Sequence, residues 1–388
     1  MERADRGIEA GCGLYVHIPF CPQHCPYCAF AVVTGRKHLY ARYVDAVCAE
    51  LRQGRQAMTT GPLQTVFFGG GTPSMLAPDQ VRQLLDTAAQ LFDLAPGAEI
   101  TLEANPSTVD AAKFAALRQV GINRLSLGVQ SLNDTDLNVL GRLHSAGEAQ
   151  TSFDAARRAG FDNISIDLIF SIPGTPRVHW RQTVGKVLAL NPEHISAYGL
   201  TIEEGTRFSQ RYHQGRLKPV SEACDRWAYD WGVEQFGRAG YEHYEVSNFA
   251  RRGYRSRHNW GYWHGVPYIG VGLSAHSFVG RERRWNTRDI DDYLDAVEAG
   301  RSPCVGQETL DDTTVRAEQI FLQLRTSHGL QLYDHEVDHL NRQPKFRAMV
   351  CDNLMRLEGS HLYLTPTGLR LADAISVELL DMVETSSG

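Results

Sequence analysis

The stretch YVHIPFCPQHCPYCAF, residues 15–30, decides how the rest of the chain is read. Cys21, Cys25 and Cys28 stand in a C-x3-C-x2-C spacing. Three thiolates can hold three corners of a cubane 4Fe–4S cluster, which takes four sulfur ligands. A loop that offers three leaves one iron open, as a catalytic centre requires and a structural one avoids. Zinc is the alternative metal, but His24 lies between two of the cysteines and is poorly placed to complete a tetrahedron. A disulfide would leave an odd cysteine over.

The remaining five cysteines (12, 48, 224, 304 and 351) are scattered singly, the pattern of thiols in a reducing compartment. The charged N-terminus lacks an apolar leader, and no apolar run approaches the ~18 residues of a membrane span. The expected location is cytoplasmic, with no transmembrane segment. A length of 388 residues and 43% apolar content fit one large domain with a smaller one. The net charge of -6 argues against a nucleic-acid partner.

Outward from the cysteine loop, strand and helix signals alternate. Leu14–Ile18 reads as a strand, followed by a helix with Leu39, Tyr43, Val47 and Leu51 at a spacing of four. Further strands are expected at Thr65–Phe68, Glu99–Glu103, Arg124–Gln130, Asn163–Phe170 and His194–Leu200, each with a helix behind it; the last helix covers Glu222–Arg238. Six such units predict a parallel sheet with right-handed crossovers, and the length favours a partial (β/α)6 barrel in residues 1–245. In such a barrel the chemistry sits at the carboxyl ends of the strands. Gly70, Gly71, Thr72, Glu103, Gln130, Asp167 and Tyr198 fall there. Residues 246–288 are rich in Gly, His and aromatic side chains without helical periodicity. They read as an irregular or extended segment packed on the open side of the barrel. From 289 to 388 a helical, winged-helix-like unit is expected. Residues 308–388 hold 7 Lys/Arg against 13 Asp/Glu, an acidic balance that argues against DNA.

The cysteine loop, with Tyr27 before its third cysteine, resembles the radical S-adenosylmethionine (SAM) superfamily, and GGGTP (Gly69–Pro73) resembles that superfamily's SAM-binding glycine motif. The resemblance implies that the open iron chelates SAM and that one electron, from an outside donor, cleaves it to a 5′-deoxyadenosyl radical. Thr72 in place of an acidic residue, together with LEANP, SLGVQS, LGRLH and IDLIFSIPGT, resembles the branch of the oxygen-independent coproporphyrinogen III dehydrogenases. By that resemblance Cys21, Cys25 and Cys28 hold the cluster. Tyr15, Tyr27 and Glu103 contact SAM or its surroundings, and Gly70, Gly71, Thr72, Gln130, Arg142 and Asp167 line the same cavity.

Two subfamilies of the branch differ at identifiable positions. The decarboxylases carry an extra cysteine two places past the third cluster cysteine and a longer leading segment; here Phe30 takes that place and twenty residues precede Cys21. The haem chaperones of the HemW family carry HNxxYW, and this chain has His258-Asn-Trp-Gly-Tyr-Trp263. That resemblance implies a haem-delivering protein. His258 is the expected axial ligand, the aromatic residues cover the macrocycle, and Arg251, Arg252, Arg255 and Arg257 are placed to meet propionates. His264 and His276 are less specific candidates. Implied partners are haem, haem-requiring proteins including membrane-bound respiratory enzymes, and an electron donor; a homodimer is compatible with the family. The competing enzyme reading is oxidative decarboxylation of coproporphyrinogen III.

Overall fold

A computed structural model describes residues 11–54 and 61–384; the charged stretch 1–10 lies outside them. Strand β1 (Cys12–Ile18) runs into the cysteine loop, where β2 (Phe20–Cys21) and β3 (Val33–Thr34) form a short parallel pair. Helix α1 (Tyr40–Gly54) buries Tyr43, Val44, Val47, Cys48 and Leu51, one face of a 3.6-residue period. The succession continues with β4 (Leu63–Gly70) and α2 (Pro78–Leu91), then β5 (Leu94–Ala104) and α3 (Ala111–Val120). Next come β6 (Arg124–Gln130) with α4 (Asp134–Val139) and α5 (Ala146–Arg158), and β7 (Ile164–Phe170) with α6 (Arg177–Leu190). Strand β8 (His194–Gly199) with α7 (Arg207–His213) and α8 (Glu222–Arg238) completes six units.

Local signals act as their chemistry dictates. Ser145 caps α5 in a reciprocal box with Glu148, and Gly121 ends α3 in the left-handed region at φ 116°. Strands β1, β4, β5, β6, β7 and β8 pair in parallel in that order. Their near-continuous apolar runs suit burial on both faces; β7 (ISIDLIF) buries every residue but Asp167 fully.

The chain after Tyr241 departs from the sequence reading. Strands β9 (Glu242–Glu245) and β10 (Asn248–Ala250) extend the β8 margin in antiparallel sense. Residues 257–263, expected to be irregular, form helix α9 (Arg257–Trp263). Strand β11 (Tyr268–Val271) then pairs in parallel with β1 and leads into an antiparallel hairpin, β12 (His276–Val279) and β13 (Glu282–Asn286). Helix α10 (Ile290–Glu298) buries Ile290, Tyr293, Leu294 and Val297 in the same core as α1, and β14 (Cys304–Thr309) pairs with β13. The twelve strands run β14-β13-β12-β11-β1-β4-β5-β6-β7-β8-β10-β9, an open sheet with β14 and β9 as its margins.

The expected start of the C-terminal unit at 289 thus falls inside elements of the large sheet, and we place the boundary after β14. Beyond it lie α11 (Asp312–Gln323), β15 (Leu330–Gln331), α12 (Asp334–Arg342) and α13 (Pro344–Cys351). The chain ends in β16 (Met355–Glu358), β17 (His361–Leu364), α14 (Pro366–Leu369) and α15 (Ala372–Glu384). The three strands form a small sheet ordered β15-β17-β16, and Ile320, Leu324, Leu340, Phe346, Leu362 and Leu379 share a core of their own. This unit contacts the large sheet near both of its ends. Val246 N donates to Arg325 O and Ser327 N to Tyr244 O, each at 2.9 Å, on the β9 side. On the β13 side Arg283 pairs with Glu318 of α11 at 2.8 Å.

Candidate functional site

The strand ends place the predicted residues by simple register. Gly69 and Gly70 stand opposite His17 and Ile18 where β4 and β1 finish, so the glycine loop lies against the chain entering the cysteine loop. Gly71 N donates to Ile18 O at 2.9 Å and Thr72 N to Phe20 O at 2.8 Å. The approach tolerates no side chain. A Cβ on Gly71 would come within 2.6 Å of Pro19 O, and one on Gly70, at φ 107°, within 2.4 Å of the His17 ring. Cys21 Sγ lies 3.2 Å from Thr72 Oγ1, and Arg142 Nη1 donates to Cys25 Sγ at 3.7 Å while its Nη2 donates to Gly128 O at 2.9 Å. Gln130, at the end of β6, adopts φ 66°, a left-handed turn that directs the chain out of the strand.

Eleven of the expected residues line one cavity of about 500 Å³: Cys21, Cys25, Tyr27, Cys28, Gly70, Gly71, Thr72, Glu103, Gln130, Arg142 and Asp167. Tyr198 and Asn259 share its wall. Tyr15 faces an adjoining cavity of about 610 Å³, which shares Ala29, Phe30, Gly70 and Glu103 with the first. Glu103 Oε2 accepts from Gly70 N at 3.1 Å, and burial, then the neighbouring Asp167, push its carboxyl up to about 8. Asp167 is also raised by burial, against hydroxyl donors from Ser126 at 2.8 Å and Ser165 at 3.1 Å. Burial pushes the Cys21 thiol up to about 11, so a metal that binds there displaces its proton.

Arg124 lines the same cavity and escaped the sequence reading, because it heads an otherwise apolar strand, RLSLGVQ. Its side chain is fully buried, and its Nε has no partner among the described residues; the same holds for the buried Nε of Arg142. Two orphaned guanidinium N–H groups at one cavity are the complement of an anionic ligand. Among the described residues no three His, Cys, Asp or Glu groups are set to hold a single metal ion. A cubane is a larger body that takes one thiolate at each of several corners.

His258 lies elsewhere. Its ring sits at the beginning of β4 and β5, stacked 5.1 Å from the Phe67 centroid, and lines neither cavity. Nδ1 is 2.7 Å from Thr65 Oγ1 and Nε2 is 2.8 Å from Tyr262 Oη. Burial, then the charge of Arg124, push its pKa down to about 3. Helix α9 enters this position because Glu99 accepts from the Arg257 and His258 N–H groups at 3.1 and 3.2 Å. Three of the four arginines expected to meet propionates have protein partners: Arg251 with Asn191, Arg255 with Glu242, and Arg257 with Gln64 and Gly97. Of the HNxxYW residues, Tyr262 faces the larger cavity, whose wall also carries His276, and Asn259 faces the smaller.

Comparison with known proteins agrees with this arrangement. The radical SAM superfamily matches residues 15–187. The chain is 34% identical over 371 residues to the haem chaperone HemW of Mycobacterium tuberculosis, covering 95% of this chain and 94% of that one. It belongs to the HemW family. Its identity to the Bacillus subtilis HemW is 32% over 374 residues, covering 93% and 97% of the two chains. A mouse relative, radical S-adenosyl methionine domain-containing protein 1, mitochondrial, is 33% identical over 390 residues, 96% of this chain and 88% of that one. Among solved structures, coproporphyrinogen III oxidase (HemN) from Escherichia coli superposes with a TM-score of 0.81 at 22% identity, covering 97% and 92%; this likeness concerns the fold. Membership of the superfamily implies a 4Fe–4S cluster and SAM for this HemW-family chain, and the thiols and orphaned donors above fit both.

Proposed function

We propose that this HemW-family protein is a haem chaperone that binds a 4Fe–4S cluster, SAM and haem and passes haem to haem-requiring proteins, respiratory enzymes among them. The reading rests on one observation: residues of both local motifs and of four further strands meet at a single cavity in a chain that aligns with a HemW relative over 95% of its length. Cys21, Cys25 and Cys28 hold the cluster, which supplies a low-potential electron and an open iron. Gly70 and Gly71 let the backbone approach SAM, and Arg124 and Arg142 bring positive charge to its carboxylate. Glu103, its carboxyl raised to about 8, and Asp167, also raised by burial, position hydroxyl and amine groups by hydrogen bonding. Among the described residues no helix is long and apolar enough to cross a membrane. The protein meets membrane-bound recipients from the cytoplasm.

The test is anaerobic reconstitution followed by haem loading. Wild type should carry iron and sulfide, bind haem and release it to an apo-haem protein. Cys25→Ala should lose the iron and sulfide. Turnover of coproporphyrinogen III to protoporphyrinogen in the presence of SAM would replace this reading with the decarboxylase.

A further inference from the structure

The cysteine loop leans on a short helix whose outer side is basic. In α7, Phe208 N donates to Pro26 O at 2.8 Å, on the backbone between the second and third thiols, and the Phe208 ring lies 6.3 Å from that of Tyr27. These contacts, with the burial of Phe208 and Ser209, fix which side of the helix faces inward. Arg207 and Arg211, four residues apart, share the outward side, and the chain runs on through Arg216 and Lys218. All four are exposed. Residues 207–218 hold four Lys/Arg and no Asp or Glu, in a chain whose net charge is -6.

Elsewhere on the surface arginines are matched: Arg36 with Asp291, Arg42 with Glu298, Arg283 with Glu308 and Glu318. Arg207, Arg211, Arg216 and Lys218 have no carboxylate in ion-pair reach among the described residues. Of the two acids that precede the helix, Glu204 is engaged by Ser209 and His213, and Glu203 lines the cluster cavity. Exposed apolar side chains accompany the cations. Tyr212 of α7 is 46% exposed. Leu143, at the mouth of the cluster cavity, is 56% exposed, and it follows Gly141, which packs against the Pro26 ring. Pro22, His24 and Ala29 of the cysteine loop are exposed as well. A group held by Cys21, Cys25 and Cys28 thus lies under a single layer of loop, next to a basic surface. Apolar contacts with charges around them suit a small, transient interface, and unpaired cations speed encounter with a protein of opposite sign.

We propose that Arg207, Arg211, Arg216 and Lys218 form the docking face for the protein that reduces the cluster, and that this partner is a small acidic one-electron carrier. The proposal rests on the cluster reading and adds to it the face through which the electron arrives and the charge that recognises its carrier. In the step the carrier is oxidised by one electron and the cluster is reduced by one; no bond forms or breaks.

The probe is a flavodoxin of strongly negative net charge, used with the full-length reconstituted protein. Binding of its oxidised form is read by chemical-shift titration of labelled flavodoxin, and reduction of the cluster by its hydroquinone is read by stopped-flow absorbance. In wild type both affinity and rate should fall about tenfold or more between about 50 and about 500 mM salt. At the lower salt Arg211→Glu should lower both about tenfold. Arg158→Glu, which changes the net charge equally at the exposed end of α5, should leave both unchanged. Dithionite, a small reductant that needs no docking face, should reduce the cluster of every variant. Wild-type binding and reduction in Arg211→Glu combined with Lys218→Glu would overturn the proposal, as would binding indifferent to salt. Loss of binding to phosphatidylglycerol vesicles in that double variant, with flavodoxin reduction intact, would also overturn it and give the patch to a lipid surface. A wild-type cluster that dithionite reduces and flavodoxin does not would overturn it while leaving the cluster reading intact. A wild type without iron and sulfide would overturn both.

Discussion

At the scale of single residues, what is legible depends on how local the chemistry is. The cysteine ligands and the glycine loop are readable from spacing alone, because a cluster loop and a backbone cradle are each built from one short segment. Arg124 is not: a fully buried arginine at the head of an apolar strand has meaning only once Glu103, Asp167 and Arg142 are known to line the same cavity. Glu103 gives a prediction of its own. Its folded pKa of about 8 lies above its ordinary 4.5, so the native state holds more protons than the unfolded state between those values. Stability therefore falls as pH rises through that window. Glu103→Gln keeps an acceptor for Gly70 N and removes the titration. In metal-free protein, urea midpoints should show the variant gaining on wild type between about pH 5 and about pH 8.5, by on the order of 2 kcal/mol.

At the scale of elements, the six strand–helix units were readable because their strands are short apolar runs and their helices carry one buried face. Helix α9 was not. Its seven residues, RHNWGYW, include a glycine and four rings, a composition without helical periodicity. The helix is imposed from outside, by the Ser256 cap, by Glu99 accepting its first N–H groups and by the Thr65–His258–Tyr262 hydrogen bonds. The conspicuous histidine thus also carries packing and hydrogen bonds within the fold. Replacing it by alanine removes a ring stacked on Phe67 and strands the Thr65 and Tyr262 hydroxyls. His258→Ala should lower the unfolding free energy by about 2–4 kcal/mol in urea titrations. A variant as stable as wild type would deny it that role.

At the scale of the whole molecule, helix α10, which the sequence reading groups with the helices that follow it, packs its apolar face against α1, and only three-dimensional packing makes that visible. The C-terminal unit is more than an appendage. Through Arg325 and Ser327 it grips the β9 margin, and through Glu318 it grips β13, next to the opposite margin. Ending the chain after Asp311 should therefore loosen both. The Val246 amide, deprived of Arg325 O, should exchange with solvent faster, and the unfolding midpoint should fall; unchanged exchange at Val246 would separate the two units mechanically. The position of α9 has a consequence for traffic. His258, bonded to Thr65 through its ring and to Glu99 through its backbone N–H, stands behind the cavity walls. The two cavities share Ala29, Phe30, Gly70 and Glu103, so whatever fills one stands against the contents of the other, and loading of the first is felt by its neighbour.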